Sequence, residues 1–260
     1  MNHLIETVLN LLFPPRCAAC RELLEENEKI MCRTCDAAYR EAVARECPEC
    51  LKPMRSCTCP NRFLDRHGIH KVAKLFRYRP RESELPTNRL IYRLKRAESV
   101  SVISFLAEEL SESIKPLLDE KYSYVLVGVP RSKEAIRTYG YDHVKLLCRA
   151  MSRVLGIPYI SAVRRIGHTG QQKKKNYRER LISAIQSYEP ARGIDLRGKR
   201  VILVDDVVTS GATIAACARA VRRIGARTVF AAVLGSSYRY SDLIGAKRYY
   251  HEKEKYSRFS

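Results

Sequence analysis

The chain has 260 residues, 45% of them apolar, enough for one large domain or two of ordinary size with a packed core; global disorder is excluded. A formal charge of +20 points to polyanionic partners: nucleic acid, nucleotides or an anionic membrane face. Eight of the ten Cys fall between Cys17 and Cys59, and no secretory signal is recognisable, which argues for reduced thiols and a cytoplasmic protein.

Leu4, Ile5, Val8, Leu9 and Leu12 recur at helical spacing and predict a short amphipathic helix ended by Pro14 and Pro15. Glu6 and Asn10 interrupt it, so no membrane span is expected there. Cys17-x2-Cys20 with Cys32-x2-Cys35, then Cys47-x2-Cys50 with Cys57-x-Cys59, supply eight thiolates, enough for two tetrahedral zinc sites. Sequential pairing is the simplest arrangement; interleaved pairing, and a single occupied site, stay open. A closed set of four thiolates leaves no catalytic position, so the zinc is read as structural, supplying folding energy to a region with little core of its own. Residues 1–60 are thus expected to form a zinc-ribbon module. Arg21, Asp36, Leu51 and Pro60 follow the Cys pairs, where many knuckles carry glycine.

Residues 61–122 read as a basic, largely helical connecting region that packs on the domain C-terminal to it. Leu75, Phe76, Leu90, Ile91 and Leu94 are expected in the core. Arg77, Arg79, Arg93, Lys95 and Arg96, interleaved with Tyr78 and Tyr92, suit a single-stranded nucleic acid: charge for phosphates and rings for bases. Between 123 and 236, apolar strands alternate with amphipathic helices. Strands are predicted at Tyr124–Val129, Tyr159–Val163, Val201–Val204 and Thr228–Leu234, and helices at Tyr141–Leu155 and Thr213–Ile224. That alternation implies an α/β fold, a parallel sheet with flanking helices. Cys148 and Cys217 fall on apolar helix faces. Residues 237–260 form a basic, Tyr-rich tail.

The stretch Val201–Thr213 (VILVDDVVTSGAT) carries the chemistry. A buried strand ends in two carboxylates, Asp205 and Asp206, followed by a small polar loop and a helix. Ligands of open α/β sheets sit beyond the carboxyl ends of strands. Helix N-termini attract anions, Gly211 permits close approach, and the hydroxyls of Thr209, Ser210 and Thr213 add donors. Acidic acceptors beside an anion cradle suit the hydroxyls of a ribose 5-phosphate, directly or through Mg²⁺. Neither a Walker A loop nor a dinucleotide fingerprint is present.

The same stretch resembles the signature of type I phosphoribosyltransferases, which bind phosphoribosyl pyrophosphate (PRPP). The resemblance implies that fold, with Asp205 and Asp206 as the catalytic ribose/Mg²⁺ pair and Val208, Thr209, Ser210, Gly211, Ala212 and Thr213 as the 5′-phosphate loop. It implies a pyrophosphate contact from Arg131 and Lys133, and a closing lid at Gly167–Arg180, where Lys173, Lys174 and Lys175 would meet pyrophosphate or DNA. Cys pairs ahead of such a domain resemble the ComF family. LLFPPRCAAC, NRLIYRLKR (88–96), Arg137-x2-Gly140-Tyr141-Asp142-His143 in place of R-G-F-N-Q, and Thr169-x2-Gln172 with Arg180 and Tyr188 carry that resemblance. Departures are Gly128 for the first Pro of V-P-V-P, Asp142 and His143 for Asn and Gln, Lys175 for Leu and Ser183 for Asn. His143 and His168 are read as hydrogen-bonded bystanders.

The family resemblance implies a protein of natural transformation, handling incoming single-stranded DNA with a helicase partner. Two other readings remain: a working phosphoribosyltransferase of nucleobase salvage, and a non-catalytic zinc-ribbon adaptor.

Overall fold

The computed structural model describes residues 13–96, 100–166 and 187–237. The expected N-terminal helix, the lid with Lys173–Lys175 and His168, and residues 238–260 of the tail lie outside the described residues.

Among the described residues, four strands make one parallel sheet. They are β1 (Val72–Arg77), β2 (Ser123–Gly128), β5 (Lys199–Val208) and β6 (Thr228–Ser236), in spatial order β1-β6-β5-β2. Val125, Leu126 and Val127 pair with Val201, Ile202 and Leu203, and these with Val229, Phe230 and Ala231. A small antiparallel ribbon joins β3 (Val163–Arg165) to β4 (Tyr188–Pro190). The seven α-helices among the described residues are α1 (Arg33–Ala44), α2 (Arg62–Arg66), α3 (Pro86–Arg96), α4 (Val100–Ile114), α5 (Lys133–Tyr139), α6 (His143–Leu155) and α7 (Ala212–Arg222).

Two apolar layers follow from strand alternation. Ile202, Val204, Phe230, Ala232 and Leu234 face a core shared with α3, α4 and α6, and with Tyr39 and Val43 of α1. Val201, Leu203, Val229, Ala231 and Val233 face α7, which buries Ile214, Ala216, Cys217, Ala220 and Val221. Cys148 and Cys217 are fully buried, and so are Leu75, Phe76, Leu90, Ile91 and Leu94, as expected. The expected helices hold with trimmed ends: the Asp142 side chain caps α6 by accepting from Lys145 N–H at 3.0 Å, and Gly225 (φ +102°) closes the turn after α7.

Three differences from the sequence reading have physical causes. The stretch 61–122 supplies a strand, β1, as well as helices. Lys74 hides it in the sequence, yet lies buried with its ammonium donating to Cys59 O at 2.7 Å and Val72 O at 3.2 Å. Tyr159–Val163 is a single bridge to Leu126 rather than a strand, because Ala162 N–H turns back to Ile160 O at 2.9 Å and leads the chain off the sheet. β5 runs on through both carboxylates to Val208, so the acids belong to the sheet.

The Cys-rich region is stitched into this frame. Tyr39 packs edge-on against Phe76, ring centroids 6.1 Å apart, and its hydroxyl donates to Glu109 at 3.2 Å. Two hairpin knuckles repeat one design. Arg16 bridges Leu23, and Glu46 bridges Pro53. Within each turn, Arg21 N–H bonds Cys17 O at 3.1 Å and Leu51 N–H bonds Cys47 O at 2.8 Å. Arg21 (φ +75°) and Leu51 (φ +58°) hold the left-handed conformation usually left to glycine. Leu51 is 53% exposed, so its side chain contributes little burial to offset that strain. Leu51→Gly is expected to stabilise the zinc-loaded chain by ~1 kcal/mol in denaturant unfolding, whereas a loss would show that the backbone there is relaxed.

Candidate functional site

The carboxyl end of β5 gathers side chains from four parts of the chain. Asp205 and Asp206 are both buried, at 7% and 4% exposure. Consecutive strand residues point to opposite faces, so the two carboxylates have different neighbours. Asp206 Oδ2 accepts from His143 Nε2 at 2.9 Å, lies 3.3 Å from Lys95 Nζ, and has Arg131 Nη1 at 4.0 Å. A carboxylate only accepts, so Nε2 carries the proton. The near oxygen, Oδ1, accepts Val207 N–H at 2.6 Å. Asp205 Oδ1 accepts Asp206 N–H at 2.9 Å.

Their ionisation therefore diverges. Burial, then the neighbouring Asp206 charge, pushes the Asp205 carboxyl well above the ordinary carboxylate range. Burial opposes ionisation of Asp206 too, but the His143 hydrogen bond and the charges of Lys95 and Arg131 outweigh it and hold that carboxyl below the ordinary range. The two acids are thus pushed in opposite directions. Beside them, the Tyr78 hydroxyl is pushed up to about 12 by burial and by its hydrogen bond with Tyr92. The hydroxyls of these two residues, whose rings are expected as stacking platforms, meet each other near Asp206.

The loop after β5 turns at Gly211 (φ +86°), the N-cap of α7, which has no side chain to cap that helix. The first amides of a helix lack intrahelical partners, so this end is open to an anion. Ser210 Oγ accepts Ala212 N–H at 3.3 Å. Thr209 is exposed, Ser210 and Thr213 half-buried, Val208 and Ala212 buried. The loop is clasped from behind. Asn61 Nδ2 donates to Ser210 O at 3.0 Å and Thr209 O at 3.5 Å, while its Oδ1 caps α2 through Leu64 N–H at 2.8 Å. A Cβ on Gly211 would stand 2.5 Å from Leu64 Cγ, so only glycine fits between α2 and the loop after β5.

Other expected site residues separate. Arg131 reaches the acid site, whereas Lys133 is exposed on the first turn of α5, with no side-chain hydrogen bond or ion pair among the described residues. Lys95, grouped in the sequence reading with the nucleic-acid contacts, is instead turned onto Asp206. It lies one turn after buried Ile91 on α3, on the face that meets the sheet end. Arg77 and Arg79 line a cleft with Arg45 between α1 and the start of α3, and Arg79 pairs with Glu82 at 3.0 Å. Arg93 is half-buried and Arg96 exposed at the end of α3. His143 is buried and hydrogen-bonded, and its partner is the central carboxylate. Asn61 was not singled out from sequence. An Asn ahead of an apolar run signals an N-cap, but nothing local signals its second bond, to residues 148 and 149 positions away.

The eight Cys fall into two groups, Cys17, Cys20, Cys32 and Cys35, and Cys47, Cys50, Cys57 and Cys59, with the sulfurs of each within 4.8 Å of one another. Four thiolates at ~2.3 Å from one ion stand a little under 4 Å apart, and Cys20 and Cys32 Sγ are 3.6 Å apart. Backbone amides point at the sulfurs: Ala19 N–H to Cys17 Sγ at 3.4 Å and Cys59 N–H to Cys57 Sγ at 3.4 Å. Both groups fit structural zinc, paired sequentially. Buried Lys74, bonded to Cys59 O, supplies positive charge beside the second group.

Comparison with known proteins agrees with this geometry. The phosphoribosyl transferase domain family matches residues 95–250, and the double zinc ribbon domain family matches residues 8–63. The competence protein ComFC of Bacillus subtilis is 27% identical over 76% of this chain and 79% of its own. The DNA utilization protein YhgH of Salmonella typhi is 28% identical over 84% of this chain and 96% of its own. Among solved structures, an allosteric regulatory enzyme of purine biosynthesis is 19% identical with a TM-score of 0.35, over 55% of this chain and 30% of that longer one. The chain belongs to the phosphoribosyl transferase domain family and, with a double zinc ribbon ahead of that domain, to the ComF family. No helix among the described residues is long and apolar enough to cross a membrane.

The split acid pair predicts opposite outcomes for two similar substitutions. Asp206→Asn leaves Lys95 and Arg131 without their buried anion and is expected to cost ~3 kcal/mol in urea unfolding at neutral pH. That loss shrinks as pH falls through the ordinary carboxylate range, because a depressed folded pKa stabilises only above the unfolded one. Asp205→Asn removes a carboxyl whose charged form burial already disfavours and is expected to cost nothing. Its advantage over the parent grows as pH rises from ~4, where an unfolded aspartate ionises and the raised folded one does not. Equal losses from both would contradict the assignment.

Proposed function

We propose that this chain binds the ribose 5-phosphate moiety of PRPP at the end of β5 and holds single-stranded DNA on its basic surface, acting in DNA uptake for natural transformation. The observation that carries the PRPP part is the phosphate loop itself. Gly211 begins α7 without a side-chain cap of its own, just beyond β5, which carries Asp206 with its carboxyl held below the ordinary range. Amides and hydroxyls of Thr209–Thr213 would take the 5′-phosphate. Asp206, with Arg131 nearby, would hold Mg²⁺ and the ribose hydroxyls, and the metal would neutralise pyrophosphate charge. Lys95 and His143 already occupy Asp206, so ligand must displace Lys95. That competition favours a binding role ahead of turnover.

The DNA part rests on the net charge of +20 and on the cleft lined by Arg45, Arg77 and Arg79. The relatives named competence protein and DNA utilization protein point the same way. A helicase partner and a cytoplasmic location complete the reading.

Thermal unfolding of the full chain tests it. PRPP with Mg²⁺ at ~100-fold above Kd should raise the midpoint by about 5 °C or more, and Ser210→Asp should abolish the rise. Single-stranded oligonucleotide should add a further, salt-sensitive rise that Arg77→Glu with Arg79→Glu removes. No response to PRPP would refute the first half, and a DNA response indifferent to both arginines would refute the cleft.

A further inference from the structure

A second cavity lies at the opposite end of the sheet, beyond the amino ends of β5 and β6. Its volume is about 370 Å³, within the ~300–1,000 Å³ of small-ligand sites. The floor is apolar: Tyr124 and Phe230 in an edge-on pair with centroids 6.4 Å apart, and Leu117 beside them. The rim is cationic, formed by Lys71, Arg200 and Arg227, and no acidic side chain lines the cavity. Among the described residues none of these three cations forms an ion pair; His70, also on the rim, is tied to Asp65 at 2.7 Å. Arg200 is pre-oriented. Its guanidinium lies over the Tyr122 ring, 3.2 Å from the centroid, and its Nη1 donates to the Tyr124 hydroxyl at 3.5 Å, which fixes its plane and leaves its other N–H groups for an acceptor. Five strand residues, about 17 Å, separate Arg200 from Asp205, so the cavity is distinct from the phosphate loop.

An apolar aromatic floor under an unpaired cationic rim matches a ligand that is flat and apolar at one end and anionic at the other. A bare anion would leave the floor unused; an apolar ligand would leave three cations uncompensated. We propose that this cavity binds a single nucleotide unit, its base against Tyr124, Phe230 and Leu117 and its terminal phosphate held by Lys71, Arg200 and Arg227. The site is independent of the PRPP reading.

Calorimetry with adenosine 5′-monophosphate tests it on the full chain carrying Ser210→Asp, which closes the phosphate loop to anions. Binding should persist there and weaken at least tenfold when Lys71→Glu and Arg227→Glu are added. Both side chains are exposed, and an unchanged melting midpoint would show that the fold is intact. Loss of all nucleotide binding in Ser210→Asp, binding indifferent to the charge reversals, or inorganic phosphate binding as tightly as the nucleotide would each overturn the proposal. A short thymidylate strand with a 5′-phosphate, set against the same strand with a 5′-hydroxyl, identifies the source. A tenfold preference for the phosphorylated end assigns the site to strand ends, and mononucleotide binding without that preference assigns it to free nucleotides; both uphold the nucleotide chemistry.

Discussion

The buried charge of Asp206 ties this molecule together. A carboxylate at 4% exposure is tolerable only if cations and donors surround it. Here they arrive from separate elements: His143 from the start of α6, Lys95 from the end of α3, and Arg131 from the loop after β2. The group that best suits a ligand is thus also the group that fixes three elements around the end of the central strand. Its neighbour Asp205 takes the opposite part, its carboxyl pushed above the ordinary range by burial and by that charge. The fold drives apart two acids that the sequence shows as equal.

A second constraint links the zinc ribbons to this site. Cys59 is followed within two residues by Asn61, whose side chain grips the carbonyls of Thr209 and Ser210. Thr58 O accepts Val72 N–H at 2.8 Å, and Lys74 reaches Cys59 O, so the second cysteine group is bonded to the sheet edge from both sides. The ribbon region shares its core and its polar contacts with the transferase fold. Such a region has little apolar core of its own: its second cluster buries only Cys47, Met54 and Cys57.

Much of this was legible in the sequence because the responsible signals are local. Alternating apolar runs announced the parallel sheet, and the Cys spacing announced two ligand groups. The order of apolar run, acids and small polar loop at Val201–Thr213 announced the passage from β5 into α7. What stayed hidden depends on long-range packing. Lys74 looks like a surface cation and disguises β1, yet its ammonium is satisfied by carbonyls that only the fold delivers. Lys95 looks like one more basic residue of a nucleic-acid face, and only the register of α3 turns it to Asp206. His143, in place of an expected glutamine, reads as a bystander until its carboxylate partner appears 63 positions on. Arg21 and Leu51 occupy positive-φ turns that composition alone assigns to glycine.

The central claim is that the loop from Val208 to Thr213 and Asp206 together hold a ribose 5-phosphate. A crystal structure of the full chain with ribose 5-phosphate and Mg²⁺ tests it most directly. The account predicts the phosphate at the N-terminus of α7 within hydrogen-bond reach of the Ser210–Thr213 amides, with the sugar at Asp206 and Lys95 displaced from it. A phosphate bound elsewhere, or a sugar in place with Lys95 still on Asp206, would contradict it.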